Sequence, residues 1–295
     1  MYPSSTSEIV KRRGSDSAGA FRDSTPPLYE QVIRLGRVLF SIAIVSFGFE
    51  GLFWAQYGSP VRLPWFPANH LAAYFTGIAL IAAGVSIALE IRTWLTAQLL
   101  GILFLFYVLL FELPMVIARP LSVGDRTVFF EALAISASAL TLSAIRPTAE
   151  SPFRFRVLEN LSKLGPYLFG ISSVVFGIDH FLVLTFIASL IPSWIPGALF
   201  WAYLTGSAFI AAGINIVIKK LDQLSATLLG TMFLLWFVLL HSPRVLRALL
   251  SHNPTFSNEW SSAFIALAMC GGSWLVASHA QQRRLRHDSG GDSRL

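Results

Sequence analysis

The chain has 295 residues, of which 54% are hydrophobic and 13% are charged, and its mean hydropathy is +0.62. A soluble domain carries about 25% charged residues, so this composition excludes an ordinary water-soluble protein and predicts that lipid surrounds most of the chain. The formal net charge of +6 does not indicate a nucleic-acid partner, because the basic residues lie in tails and short loops.

Residues 1–30 are rich in Ser, Asp, Pro and Arg and contain no apolar stretch of the kind found in a signal peptide. This segment predicts a disordered cytoplasmic tail. Eight apolar stretches follow, each long enough to cross about 30 Å of hydrocarbon. Because they are continuous rather than alternating, they predict helices and not barrel strands. In chain order they are 35–56, 71–89, 95–117, 128–145, 164–188, 199–218, 224–247 and 261–279.

These spans divide the chain into two four-helix transmembrane repeats. We predict the first repeat at 31–146, a cytoplasmic linker at 147–163, the second repeat at 164–279 and a basic cytoplasmic tail at 280–295, also disordered. The predicted cytoplasmic side holds 17 Lys and Arg residues and the outer side holds 5. Cytoplasmic loops are the basic ones, so both termini are expected in the cytoplasm.

The two repeats match without a gap when the chain is shifted by 129 residues. Between 35 and 114, 29 of 80 positions are identical to their partners, including Phe47-Gly48 with Phe176-Gly177 and Ile81–Gly84 with Ile210–Gly213. A match of this length indicates an internal duplication. Four spans are an even number, so the fold class we predict is an all-α membrane protein with two tandem repeats in parallel orientation.

Small residues in the second span of each repeat recur about one heptad apart, which predicts close contact with a neighbouring helix. They are Gly77, Ala83 and Gly84 in the first repeat, and Gly206, Ala212 and Gly213 in the second. The only cysteine, Cys270, lies in an apolar run and is expected to be a packing residue.

Ionisable side chains within the spans are candidate functional residues, because a charge at the bilayer centre costs at least about 2.5 kcal/mol. Five stand out: Glu50, Glu112, Asp179, His180 and His241. Each lies about 21–26 Å from the cytoplasmic start of its span, at 1.5 Å per residue. Their common depth predicts a polar pocket open toward the extracytoplasmic side.

A proline follows Glu112 and His241 two residues later, and a proline frees a backbone carbonyl and kinks a helix. Gly101 and Gly230, three turns earlier, leave room for a ligand or a neighbouring helix. Neutral histidines in such a pocket could hydrogen-bond a quinone, relay protons or bind a metal. The sequence lacks the spaced histidine pairs typical of a zinc site, so we predict no metal.

The second half of the chain resembles the DoxX-like family of small bacterial membrane proteins, well over 164–279 and more loosely over 35–145. The residues that carry the resemblance are Phe176–Phe181, Ile191–Gly197, Tyr203–Gly206, Ala211–Gly213, Leu240–Arg244 and Asn258–Phe264. The resemblance implies a four-helix membrane bundle associated with redox chemistry, because some members look like subunits of thiosulfate:quinone oxidoreductase or partners in oxidative-stress complexes.

Carried over residue by residue, the resemblance marks His180, His241, Arg244, Glu259 and Trp260. Arg244 is expected to meet an anionic headgroup, with Glu259 as the alternative. The first repeat departs from the pattern, with Gly51, Glu112 and Met115 in place of His180, His241 and Arg244. Any site is therefore expected to be asymmetric or confined to the second repeat.

Our leading hypothesis is a redox-associated protein of the bacterial cytoplasmic (inner) membrane that binds a quinone or similar lipid-soluble ligand near the outer leaflet and works with a redox protein partner. His180 and His241 would hydrogen-bond the ligand, while Asp179, Glu50 or Glu112 would handle protons. No catalytic residue is assigned. One alternative is a non-enzymatic scaffold whose buried polar groups pair across helices, and another is a transporter of protons or a small solute.

Overall fold

The computed structural model describes residues 28–55, 70–145, 160–251 and 256–291. Within these ranges the regular secondary structure is entirely helical, and eight helices are long and apolar enough to cross a membrane. This confirms the predicted fold class, an all-α, multi-pass membrane protein.

The helices follow the predicted spans closely in both repeats. The first repeat comprises α1 (Leu28–Ala55), α2 (His70–Ala88), α3 (Thr93–Tyr107), a π-helical turn π1 (Val108–Glu112), α4 (Leu113–Ala118) and α5 (Val123–Ile145). The second comprises α6 (Gly165–Leu182), α7 (Leu184–Leu190), α8 (Ala198–Ile218), α9 (Asp222–Trp236), a second π-helical turn π2 (Phe237–His241), α10 (Ser242–Leu250) and α11 (Phe256–Gly291).

Three predicted boundaries differ from the observed ones. The first helix begins at Leu28, seven residues before the predicted span and inside the segment predicted as a disordered tail. The span predicted at 164–188 divides at Val183, whose φ of −120° and ψ of 36° interrupt the helix between α6 and α7. The tail predicted as disordered from 280 instead continues α11 to Gly291. Helix-forming Gln, Arg and Leu fill this stretch, and Arg283 and Arg284 both donate hydrogen bonds to the buried carboxylate of Asp222 in α9.

Consecutive spans run antiparallel, because each crosses the bundle in the direction opposite to the span before it. Within the first repeat α1 packs on α2 and α3 packs on α5, and the second repeat has the equivalent pairs α6 with α8 and α9 with α11. The first helix of each repeat also packs on the fourth helix of the other repeat, α1 on α11 and α6 on α5. This alternation gives α1 and α6 the same direction, so the repeats are parallel and related by a pseudo-two-fold axis.

The fourth helices form the centre of the bundle. The spans Val123–Ile145 and Asn258–Arg286 are 72% and 83% buried, whereas every other span is 50% buried or less. They pack against each other as well as against both first helices. Cys270 of α11 is fully buried there, as expected for a packing residue.

The predicted contacts of the small-residue stripe are confirmed. A Cβ on Gly48 would lie 2.7 Å from the carbonyl oxygen of Gly77, and one on Gly177 would lie 2.6 Å from that of Gly206. The α1–α2 and α6–α8 crossings therefore depend on glycine. The space at Gly101 and Gly230 is filled by the neighbouring helices α5 and α11, not left for a ligand.

Candidate functional site

The predicted ionisable residues gather at one end of the bundle, where α5 and α11 begin. We call this the polar end. Glu50 and Asp179 lie near the carboxyl ends of α1 and α6, while Glu112 and His241 close the two π turns. The sequence predicted a single pocket here. Instead, the five predicted side chains belong to five separate groups of contacts.

Asp179 forms an ion pair that joins the two repeats. Arg126 of α5 donates from Nε to Asp179 Oδ1 over 2.8 Å and adds a second bond from Nη2, while Thr127 Oγ1 donates to Oδ2 over 3.2 Å. The Asp179 side chain is only 6% exposed. Sequence reasoning counted Arg126 as a loop cation, although it lies two residues before the predicted span 128–145.

Glu50, the repeat equivalent of Asp179, also contacts the opposite repeat. Ser261 of α11 donates a hydrogen bond from Oγ to Glu50 Oε1. Both acids therefore bind the first turns of the fourth helix that belongs to the other repeat. This shared geometry makes them part of the joint between repeats, although the partner is a cation in one case and a hydroxyl in the other.

The two π turns occupy equivalent positions and explain how each proline is accommodated. The backbone N–H of Leu113 donates to Val108 O, and that of Ser242 donates to Phe237 O, five residues back. Ser242 Oγ donates to the same Phe237 oxygen over 2.8 Å. The predicted kink is therefore a widened turn. Such turns occur often at functional sites.

His241 is the last residue of π2 and lies beside an ion pair, Arg244 with Glu259, that is joined by two hydrogen bonds. Arg244 donates from Nε and Nη2 to the two carboxylate oxygens of Glu259, each over 2.7 Å. Glu259 is thus the partner of Arg244, and the expected headgroup role is not needed to satisfy the guanidinium. His241 lies within electrostatic range of both charges. Its Nδ1 is buried and has no hydrogen-bond partner among the described protein atoms.

Aromatic side chains line the same part of the second repeat. The Trp260 ring lies 4.7 Å from that of Phe264, and the Phe237 ring lies 6.5 Å from Phe264 on another side. Trp260 follows Glu259 in α11, and Phe237 opens π2. We refer to His241, the ion pair and this neighbouring aromatic group together as the His241 site.

The equivalent place in the first repeat has different chemistry. Tyr107 Oη donates to Glu112 Oε1 over 2.5 Å. Glu131 of α5 lies close enough to Glu112 for the two carboxyl groups to interact electrostatically. Sequence reasoning missed Glu131, although it lies inside the predicted span 128–145. The first repeat thus places two acids and a phenol where the second has a histidine and an ion pair.

His180 does not contact His241. Its Nδ1 donates to the carbonyl oxygen of Phe176 over 2.7 Å, and its ring lies 5.0 Å from that of Phe209. Within the described ranges, no hydrogen bond or ring contact joins the two histidines. In the same ranges, no three His, Cys, Asp or Glu side chains are arranged so that they could hold a metal ion.

Comparison with known proteins adds no relative. No family model, no curated protein and no solved structure matches the chain significantly.

Proposed function

We propose that the protein is a redox-associated membrane protein that binds a quinone or similar lipid-soluble ligand at the His241 site. The observation that carries the proposal is the buried Nδ1 of His241, which has no hydrogen-bond partner in the described parts of the chain. A buried polar atom without a hydrogen bond costs about 1–3 kcal/mol. A ligand oxygen that accepts from this nitrogen would recover that cost.

The surroundings of His241 suit a flat ligand with a carbonyl group. A neutral imidazole with its proton on Nδ1 donates to a carbonyl oxygen. The Arg244–Glu259 pair ties α10 to α11 beside the ring, and Trp260 and Phe264 form an aromatic pair farther along α11. The DoxX-like resemblance of the second repeat points to the same class of ligand.

The experiment is quinone binding by the purified full-length protein in detergent. We expect His241→Phe to weaken binding at least tenfold, about the 1.4 kcal/mol of one hydrogen bond. Glu112→Gln changes the equivalent position of the first repeat and serves as the matched control, with affinity unchanged. His180→Phe tests the second histidine separately, and it should leave affinity within about twofold because His180 already bonds Phe176. Equal affinity in wild type and His241→Phe refutes the proposal.

A non-enzymatic scaffold is the second candidate, and a specific observation favours it. Glu50 and Asp179 both use their hydrogen-bonding capacity within the protein, at the joint between repeats. On this view the polar end fixes helix register, and substitutions there lower stability without changing any ligand affinity. Measuring unfolding and quinone binding on the same variants separates the two candidates.

We place the protein in the bacterial cytoplasmic membrane with both termini inside and the polar end outside. The support is the distribution of Lys and Arg, 17 against 5. A redox protein would then meet the polar end from the extracytoplasmic side. Labelling of single cysteines by an impermeant maleimide, in a background with Cys270 replaced, tests the orientation. A cysteine added at Ser251 should react in intact cells, and one added at Lys220 should not.

A further inference from the structure

A groove runs between α2 and α3 on the lipid-facing side of the first repeat. Its volume is about 390 Å³, within the range of about 300–1,000 Å³ that suits small ligands. The lining residues are apolar over most of its length and hydroxylated at one end. They are Ala79, Ala82, Ala83, Leu99, Leu100 and Leu103, with Ser86 and Thr96 at the end opposite the polar end.

The equivalent helices of the second repeat, α8 and α9, are joined by aromatic contacts. Phe209 of α8 meets Phe233 of α9 with ring centroids 5.3 Å apart, and Trp201 meets Trp236 at 6.3 Å. The equivalents of Phe209 and Trp201 in the first repeat are Leu80 and Ala72, which supply no ring. Two aromatic contacts that join α8 to α9 therefore have no counterpart between α2 and α3.

A cation lies next to the hydroxylated end of this groove. Arg92 immediately precedes α3, one turn before Thr96, and is exposed. The neighbouring acid, Glu90, is bonded to Arg37 of α1, and Arg92 itself has no ion pair within the described residues. The hydroxyl of Thr93, the next residue, is buried without a hydrogen-bond partner. The repeat equivalent of Arg92 is Leu221, so this cation is confined to the first repeat.

We propose that this groove binds one anionic phospholipid, with an acyl chain between α2 and α3 and the phosphate at Arg92. An apolar channel of about 10 Å along Ala79–Ser86 suits a hydrocarbon chain. The unpaired guanidinium at its end supplies the charge complementary to a phosphate. The headgroup would lie at the end of the bundle opposite the His241 site, so this site is separate from the proposed quinone site.

The test is native mass spectrometry of the full-length protein in detergent, titrated with phosphatidylglycerol or phosphatidylcholine. Wild type should retain one phosphatidylglycerol in preference to phosphatidylcholine. Arg92→Gln should weaken phosphatidylglycerol binding about fivefold, the effect of about 1 kcal/mol expected for one basic residue near a membrane surface. Arg92→Lys should retain the preference because it keeps the charge.

A second pair of variants tests the acyl-chain half of the site. Ala82 is exposed in the groove, so Ala82→Phe should fill the groove without disturbing the core and should remove the bound lipid. Ala211→Phe makes the same change at the equivalent exposed position of the second repeat and should leave retention unchanged. Equal loss in Ala82→Phe and Ala211→Phe would overturn the proposal. So would equal retention of the two lipids by wild type, or an unchanged preference in Arg92→Gln.

Discussion

Removing Arg126 tests the joint between the repeats most directly. The Asp179 side chain is 6% exposed and that of Arg126 is 22% exposed, so both charges are largely removed from water. Breaking a buried ion pair by deleting one partner costs about 3–5 kcal/mol, because the other charge stays buried. We expect Arg126→Leu to lower the free energy of unfolding by about 3 kcal/mol, the lower end, since Thr127 still donates to Asp179.

The double variant distinguishes a specific pair from general damage. Replacing a buried ion pair with apolar residues of similar volume is often close to neutral. We therefore expect Arg126→Leu with Asp179→Leu to be more stable than Arg126→Leu alone, with a coupling energy of at least about 2 kcal/mol. The measurement is equilibrium unfolding in mixed micelles titrated with sodium dodecyl sulfate, followed by circular dichroism.

A nearby exposed pair provides the control. Arg119 and Asp125 form an ion pair of 3.0 Å at the same end of the bundle, but this pair is more exposed, with the Arg119 side chain 54% and the Asp125 side chain 20% exposed. Exposed pairs contribute about 0–1 kcal/mol, so Arg119→Gln should change stability by less than about 1 kcal/mol. Additive losses in the Arg126 and Asp179 double variant, with no coupling, would refute the assignment of this pair as a structural joint.

Three further predictions use the same purified protein. Gly177→Val should lower the free energy of unfolding by about 3 kcal/mol. Gly51→Ala should lower it little, because the new Cβ would meet nothing closer than 3.6 Å. Equal losses of stability in the two variants would contradict the helix-crossing geometry. Cys270 should resist maleimide in the folded protein and react once unfolded, since it is fully buried; fast labelling without unfolding would show that the centre of the bundle is open. Arg244→Lys should lower the free energy of unfolding by about 1.5–3 kcal/mol, because one of the two hydrogen bonds to Glu259 is lost. Wild-type stability in that variant would mean that the protein does not need both hydrogen bonds.

Helix number, order and duplication could be predicted from the sequence because hydropathy and self-similarity report them directly. The pairing of helices across repeats could not. An offset of 129 residues shows that two units are alike, but it does not say whether α1 packs on α5 or on α11. The tail after 279 was misjudged because its polarity resembles that of a disordered segment, while its packing against Asp222 depends on tertiary contacts.

The sequence predicted the depth of the candidate site residues but not their partners. Depth counting found that Glu112 and His241 share a level, because helical rise is regular. It did not find that Arg126 pairs with Asp179. A cation at the end of a span gives the same sequence pattern whether its side chain contacts lipid headgroups or a partner helix. The prolines after the π turns were recognised, but the shift to hydrogen bonds five residues back depends on how each helix meets its neighbours.

The packing of each first helix on the fourth helix of the other repeat has a consequence for biosynthesis. The surface of α1 that faces α11 has no partner until the ribosome has made α11. The two repeats therefore cannot complete their packing one after the other. Both complete it at the same time, when α11 inserts. A truncation within α11 should then expose the amino-terminal half as well as the carboxyl-terminal one to membrane proteases.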